Sequence, residues 1–166
     1  MPVKTIISGG QTGVDRAALD IALELKIPCG GWCPKGRQAE DGAIDPMYPL
    51  QETPLANYAQ RTEWNVRDTD GTLILTWGSP SGGTAYTIEC AKSYRRPLLI
   101  GEMKKPPLKT VFLQWITEHQ IQTLNVAGPR ESLAPGVIYR EARQILTDWL
   151  GAQGSKLEKH KPASRR

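Results

Sequence analysis

VKTIISGGQTGVDRAALDIAL, residues 3–23, runs an apolar stretch into a glycine turn and the turn directly into an amphipathic stretch. The first stretch predicts a strand over 3–8 and the last a helix over about 14–25. A strand-turn-helix junction of this kind aims backbone N–H groups outward. The first turn of a helix leaves those groups without internal partners, and the aligned peptide dipoles place roughly half a positive charge there, so an anion is a natural guest. Gly9, Gly10 and Gly13 carry no Cβ and let the backbone approach such a guest. A turn that needs glycine only for its own geometry is the alternative reading of the same residues.

Outward from this junction the pattern alternates. IPCGGWCP predicts a short strand near 28–32, and residues 33–54 form a long stretch with four prolines and no sustained periodicity. A polar helix near 55–68 leads to TLILTW, 72–77, whose unbroken apolar character predicts a buried central strand. A second glycine turn, GSPSGGT, feeds a helix near 83–95. PLLI, a helix near 107–119, the strand TLNVA and a helix near 136–150 complete the chain, the last with Ile138, Ala142, Ile145, Leu146 and Trp149 on one stripe. This β-α alternation predicts an α/β, Rossmann-like three-layer sandwich with a mostly parallel sheet of about five or more strands. Residues 1–150 read as a single ligand-binding domain and 151–166 as a basic, flexible tail. In such sheets ligands sit beyond the carboxyl ends of the strands. GGQTG, CPKGR, GSPSGGT and AGPRES all fall on that rim.

Charge excludes several classes. The chain has 166 residues, a formal charge of +4 and a pI near 9.0. Five of the 21 basic residues, Lys156, Lys159, Lys161, Arg165 and Arg166, lie in the tail with Glu158 alone against them, so the remainder is formally neutral. A solvated tail explains this better than a nucleic-acid arm. No apolar run is long enough to span a bilayer, and three cysteines without a signal peptide point to the cytoplasm. Two histidines leave little room for triad hydrolysis, and no metal ligand set is assigned.

The turns are not nucleotide loops of the common kinds. GGQTG departs from G-x-G-x-x-G, and it lacks the lysine and hydroxyl residue of a phosphate-binding P-loop, so NAD and ATP are disfavoured. Thr12 and Asp15 match the spacing of a capping box, which makes Asp15 structural and leaves Gln11 and Thr12 to meet a ligand. In GSPSGGT, Gly82 and Gly83 open a helix beside the hydroxyls of Ser79, Ser81 and Thr84, which repeats the anion-site physics of the first turn. Lys35, Arg37 and Arg130 add positive charge from neighbouring loops; each alone reads more readily as an ordinary surface cation, and the three together point to the crevice. Arg61 and Asn65 share a helix face, and a surface ion pair accounts for Arg61 as well.

Five stretches in fixed order, SGGQTGVDRAALDIA, GGWCPKGRQAEDG, RTEWNVRDTDGTLIL, GSPSGGTAYT and LNVAGPRES, resemble the molybdenum cofactor carrier group of the circularly permuted, YpsA-like SLOG proteins. The resemblance covers about residues 3–150. It implies a Rossmann-like fold, self-association into a dimer or tetramer, and binding of the molybdenum cofactor, a phosphate-bearing pterin, for protection and delivery to molybdoenzyme acceptors. Molybdate or another phosphate-like anion fits the same turns. The related LOG branch cleaves nucleoside monophosphates with a G-G-x-G-T-x-x-E motif, and a LOG-like N-glycosidase or nucleotide-derivative binder is the alternative function. The chain departs from that motif, since Ala85 and Tyr86 follow Gly82-Gly83-Thr84 and Glu89 meets the acidic position only loosely.

Overall fold

The computed structural model describes residues 3–155. In chain order it comprises β1 (Thr5–Ile7), α1 (Val14–Glu24), β2 (Cys29–Gly30), β3 (Trp32–Cys33), β4 (Gln38–Ala39), β5 (Gly42–Ala43) and β6 (Gln51–Glu52). It continues with α2 (Tyr58–Arg67), β7 (Gly71–Thr76), α3 (Gly82–Ser93), β8 (Leu98–Glu102), α4 (Lys109–Glu118), β9 (Thr123–Ala127) and α5 (Ile138–Ser155). A short 3-10 turn, Glu131–Leu133, precedes α5.

Five strands form one parallel sheet in the order β2-β1-β9-β7-β8. β7 is buried along its whole length because β8 and β9 flank it and helices cover both faces, which is why its sequence is apolar without alternation. On one face α1, α4 and α5 pack against the sheet through Ala17, Ala18, Phe112, Ile138, Leu146 and Trp149, with the Phe112 and Trp149 rings stacked at 4.9 Å. α2 and α3 cover the other face through Val66, Cys90 and Ala91. The apolar stripe of α5 is therefore core. The helix runs on to Ser155, and the rest of the expected tail, residues 156–166, lies outside the described residues.

β9, last in the chain, sits in the middle of the sheet. Moving β9 and α5 ahead of β1 would number the same sheet 3-2-1-4-5, the doubly wound order. In that frame the strand order reverses between β9 and β7. The ligand crevice of such a sheet belongs there, flanked by the loops Gly128–Val137 and Trp77–Ser81.

The expected strand over 28–32 is two pieces. β2 pairs with β1 in the main sheet, and beyond Gly31 the chain leaves that sheet, so that β3 pairs with β6 instead. The long stretch 33–54 is ordered around a small core of Leu19, Cys33, Ile44, Tyr48 and Leu50, with β4 and β5 as a hairpin.

Candidate functional site

At the reversal between β9 and β7 the carboxyl edge opens into a cavity of about 470 Å³, the size of a small-molecule site. Asn125 and Thr76 lie at its sheet end. Gly9 and Gln11 line it from the β1 loop, Trp77 through Thr84 from the β7 loop, and Ala127 through Arg130 with Ser132 and Leu133 from the β9 loop. α2 contributes Arg61, Thr62 and Asn65. Asn65 is fixed by pairing its side chain with both backbone groups of Trp32, at 2.8 and 3.0 Å, which docks α2 against β3 and turns Arg61 inward.

The two glycine turns behave differently. α3 begins with Ser81 as an N-cap whose side chain makes no capping bond, and among the described residues the amides of Gly82 and Gly83 donate to no protein acceptor. Both face the cavity at the positive end of a 12-residue helix. Ser79 and Ser81 stand exposed beside them, and Thr84 lies just beneath.

In GGQTG most amides are already taken. Gly10 N donates to Ser8 Oγ, Gln11 N to Asp15 Oδ2, Thr12 N to Gln11 Oε1 and Val14 N to the Pro129 carbonyl. The turn therefore offers a ligand its glycine surface and side chains rather than a ring of N–H groups. No capping box forms, because Gly13, at φ 80°, is the N-cap of α1. Thr12 instead donates its hydroxyl to Glu40 and accepts from Glu131 N at 3.1 Å. Gln11 accepts from Thr12 N and from Glu40 N, which fixes its amide orientation and leaves Nε2 buried without a partner.

Asp15, read from the sequence as structural, and Arg61, for which a surface ion pair was an equal reading, are the buried charges of the cavity, 7% exposed each. Arg61 Nη1 donates to the Gly9 carbonyl at 2.7 Å and Nε to Thr62 Oγ1 at 3.3 Å, while the guanidinium covers the Tyr58 ring at 5.0 Å. Arg130 approaches the same ring at 5.6 Å and is otherwise unpaired among the described residues. Burial lifts the Asp15 carboxyl to about 6 even though Arg61, the Gln11 amide, Arg16 and Arg130 all pull it down. A Cβ on Gly9 would stand 2.6 Å from Arg61 Nη1 and 3.0 Å from Asp15 Oδ2, so only glycine lets both groups approach the cavity wall there.

Of the residues expected to bind, the cavity brings together Gly9, Gln11, Ser79, Ser81, Gly82, Gly83, Thr84 and Arg130. Gly10, Thr12, Gly13, Lys35 and Arg37 do not line it. Gly10 packs toward Ile44 and Leu50, and a Cβ on Gly13 would meet the Pro129 carbonyl at 2.4 Å. Arg37 donates to the carbonyls of Ile44, Asp45, Tyr48 and Leu50, which makes it the clasp of the long loop. Lys35 is exposed on that loop, its backbone N bonded to the Leu55 carbonyl. None of Cys29, Cys33 and Cys90 lines the cavity, and all three are free thiols.

A model of the circularly permutated YpsA SLOG family matches residues 6–150. The chain belongs to this family. Its sheet order, with the last strand between β1 and β7, is what such a permutation leaves. Among solved structures, the putative molybdenum carrier protein from Syntrophus aciditrophicus SB is 46% identical, with a TM-score of 0.86, covering 89% of this chain and 95% of that one. Comparison with curated proteins gives no match. No helix among the described residues is long and apolar enough to cross a membrane.

Asp15, Arg61 and Asn65, which were not among the residues expected to bind, also line the cavity. For Arg61 and Asn65 the signal was their i, i+4 spacing; for Asp15 the capping-box spacing pointed elsewhere. In the acidic motif of the LOG branch, Thr84 stands for the threonine, and the residue three places on is Thr87. Thr87 lines the cavity and donates to the Gly83 carbonyl at 2.8 Å, whereas Glu89 is exposed and outside it.

Proposed function

We propose that this protein binds and carries the molybdenum cofactor in the crevice between β9 and β7. The likeness to the Syntrophus molybdenum carrier supports the cargo, and the observation that carries the reading is the pair of unpartnered Gly82 and Gly83 amides facing Arg61 and Arg130 across one cavity. A phosphate accepts from the α3 N-terminus and the Ser79, Ser81 and Thr84 hydroxyls, with Arg130 neutralising its outer charge. Gly9 and Gln11 wall the other side, and the rings of Trp77 and the side chain of Leu133 give the apolar surface a pterin needs. Gly10, Thr12, Gly13 and Arg37 hold the walls in place and touch no cargo; Lys35 takes no part.

The LOG-like alternative loses its support at α3, where the inward position is Thr87 and the carboxylate of Glu89 points away from the cavity. Self-association belongs to the carrier reading, and Ile100 on the edge strand β8, with exposed Leu108 and Val111, gives it a surface. The reading is tested by anaerobic titration of the whole protein with cofactor released from a molybdoenzyme. The expected result is saturation near one cofactor per chain, with retention of its absorbance through gel filtration. Absence of a saturable signal sinks it.

A further inference from the structure

We propose that Asp15 and Arg61 act together as a reader for the edge of a 2-amino-4-oxopyrimidine ring, the edge that pterins share with guanine. It rests on the crevice being the cofactor site and assigns the ring end of that site, the α3 turn holding the phosphate.

The two groups are buried side by side and yet are not joined. Arg61 donates to the Gly9 carbonyl, a Cβ on Gly9 would stand 3.0 Å from Asp15 Oδ2, and no ion pair between the two charges occurs among the described residues. Each is held by the protein on one side only. Gln11 N fixes Asp15 Oδ2 at 3.3 Å, and the other carboxylate oxygen takes no hydrogen bond. Gly9 and Thr62 fix Nη1 and Nε of Arg61, while Nη2 has no partner. Asp15 Oδ1 and Arg61 Nη2 are therefore free to meet a guest in the cavity that both residues line, and a guest that supplies a donor to the first and an acceptor to the second matches them.

A 2-amino-4-oxopyrimidine presents an amino donor, a ring N–H donor and a carbonyl acceptor in a row. A carboxylate accepts from the first two and a neighbouring guanidinium donates to the third. Hypoxanthine lacks the amino donor. Adenine carries an amino group where the carbonyl should be and an unprotonated nitrogen beside it, so it opposes Arg61 with a donor and Asp15 with an acceptor. Gln11 Nε2, buried and unpartnered in the same wall, adds a further donor beside the ring.

The experiment is calorimetric titration of the whole protein, wild type and Asp15→Asn, with GMP, IMP, AMP, neopterin monophosphate and released molybdenum cofactor. Asparagine keeps the shape of the side chain, and folding of the variant is checked by circular dichroism. The wild type is expected to prefer GMP over IMP by about tenfold and over AMP by more, since a site built for an N–H rejects an analogue without it. Asp15→Asn should erase the GMP preference and weaken neopterin monophosphate and the cofactor at least tenfold. Tighter neopterin monophosphate marks pterin as the source of the edge, and tighter GMP marks a guanine nucleotide; either supports the reader. Equal affinity for GMP and IMP, a preference that survives in Asp15→Asn, or no binding of any of the five overturns it. If the cofactor binds both proteins equally, the reader fails and the carrier reading stands. If GMP is preferred and the cofactor does not bind, the carrier reading fails and the reader stands.

Discussion

Asp15 links binding to pH and to stability with opposite signs. Burial raises its carboxyl from 3.8 to about 6, so the folded chain holds this proton more tightly than the unfolded chain does. Between those values the native state binds more protons, and stability falls as pH rises, by about 3 kcal/mol in all. Asp15→Asn carries no such charge, and its melting midpoint at pH 7.5 is expected to lie several degrees above wild type, with the gap closing below pH 4. Ligand binding runs the other way. Accepting two N–H donors requires the ionised carboxylate, so affinity should be flat above about pH 7 and fall about tenfold per pH unit well below 6. The cations facing this carboxyl are Arg61 from α2, Arg16 from α1 and Arg130 from the β9 loop. Arg61 exerts the largest downward pull on it. Arg61→Met should therefore move the midpoint of the binding profile to higher pH, measured by titrating neopterin monophosphate from pH 5 to 9; an unchanged midpoint would show that the two groups do not sense each other.

At the scale of an element, α3 is an uncapped helix whose first turn is kept open. Ser81→Asp should supply the missing side-chain acceptor for the first-turn amides and stabilise the protein by about 1 kcal/mol, while placing a negative charge where phosphate is to bind. A higher melting midpoint together with a tenfold or greater loss of GMP affinity is the expected pair of results from differential scanning fluorimetry and titration. Loss of stability and affinity together would mean that Ser81 only shapes the loop. This turn was legible in the sequence, as were the five sheet strands and their helices, because periodicity and glycine at a helix start are local signals. Residues 33–54 were not. Their order comes from Arg37, held at φ 53° with its guanidinium on four carbonyls, and from Tyr48 donating to Asp20 at 2.5 Å across the helix. Such hubs leave no period to read. Arg61 was illegible for the same reason: it meets Gly9 from 52 positions away, through the docking of α2 by Asn65. In GGQTG the amides of Gly10, Gln11 and Thr12 are satisfied by the side chains of Ser8, Asp15 and Gln11, near neighbours whose rotamers the sequence does not display.

Over the whole molecule, the chain enters the doubly wound sheet at its second strand. GGQTG, first in the sequence, is topologically the loop of strand two, and the loop of strand one is AGPRES, which explains why Pro129 and Arg130 stand at the crevice and Gly13 packs behind them. If the site depends only on this spatial order, the position of the termini is free. The turn between α4 and β9 is exposed at His119 and Gln120, a place where opening a chain breaks few contacts. α5 runs back from the carboxyl edge toward the amino edge, where β1 begins, so Ser155 can be joined to Val3 by a Gly/Ser linker. A permutant starting at Gln120 would then carry β9 and α5 first and read 3-2-1-4-5 along its own sequence. It should fold cooperatively, keep the GMP preference and bind within about threefold of wild type, because every residue of the crevice keeps its neighbours. Some loss of melting temperature is expected at α4, which becomes the free end, and Trp149, stacked on Phe112, and Trp115, tilted against the same ring, report on it. A permutant that melts cooperatively but binds more than tenfold worse would show that the crevice needs the tether at His119 as well as the sheet, and that the permutation of this family is functional rather than neutral.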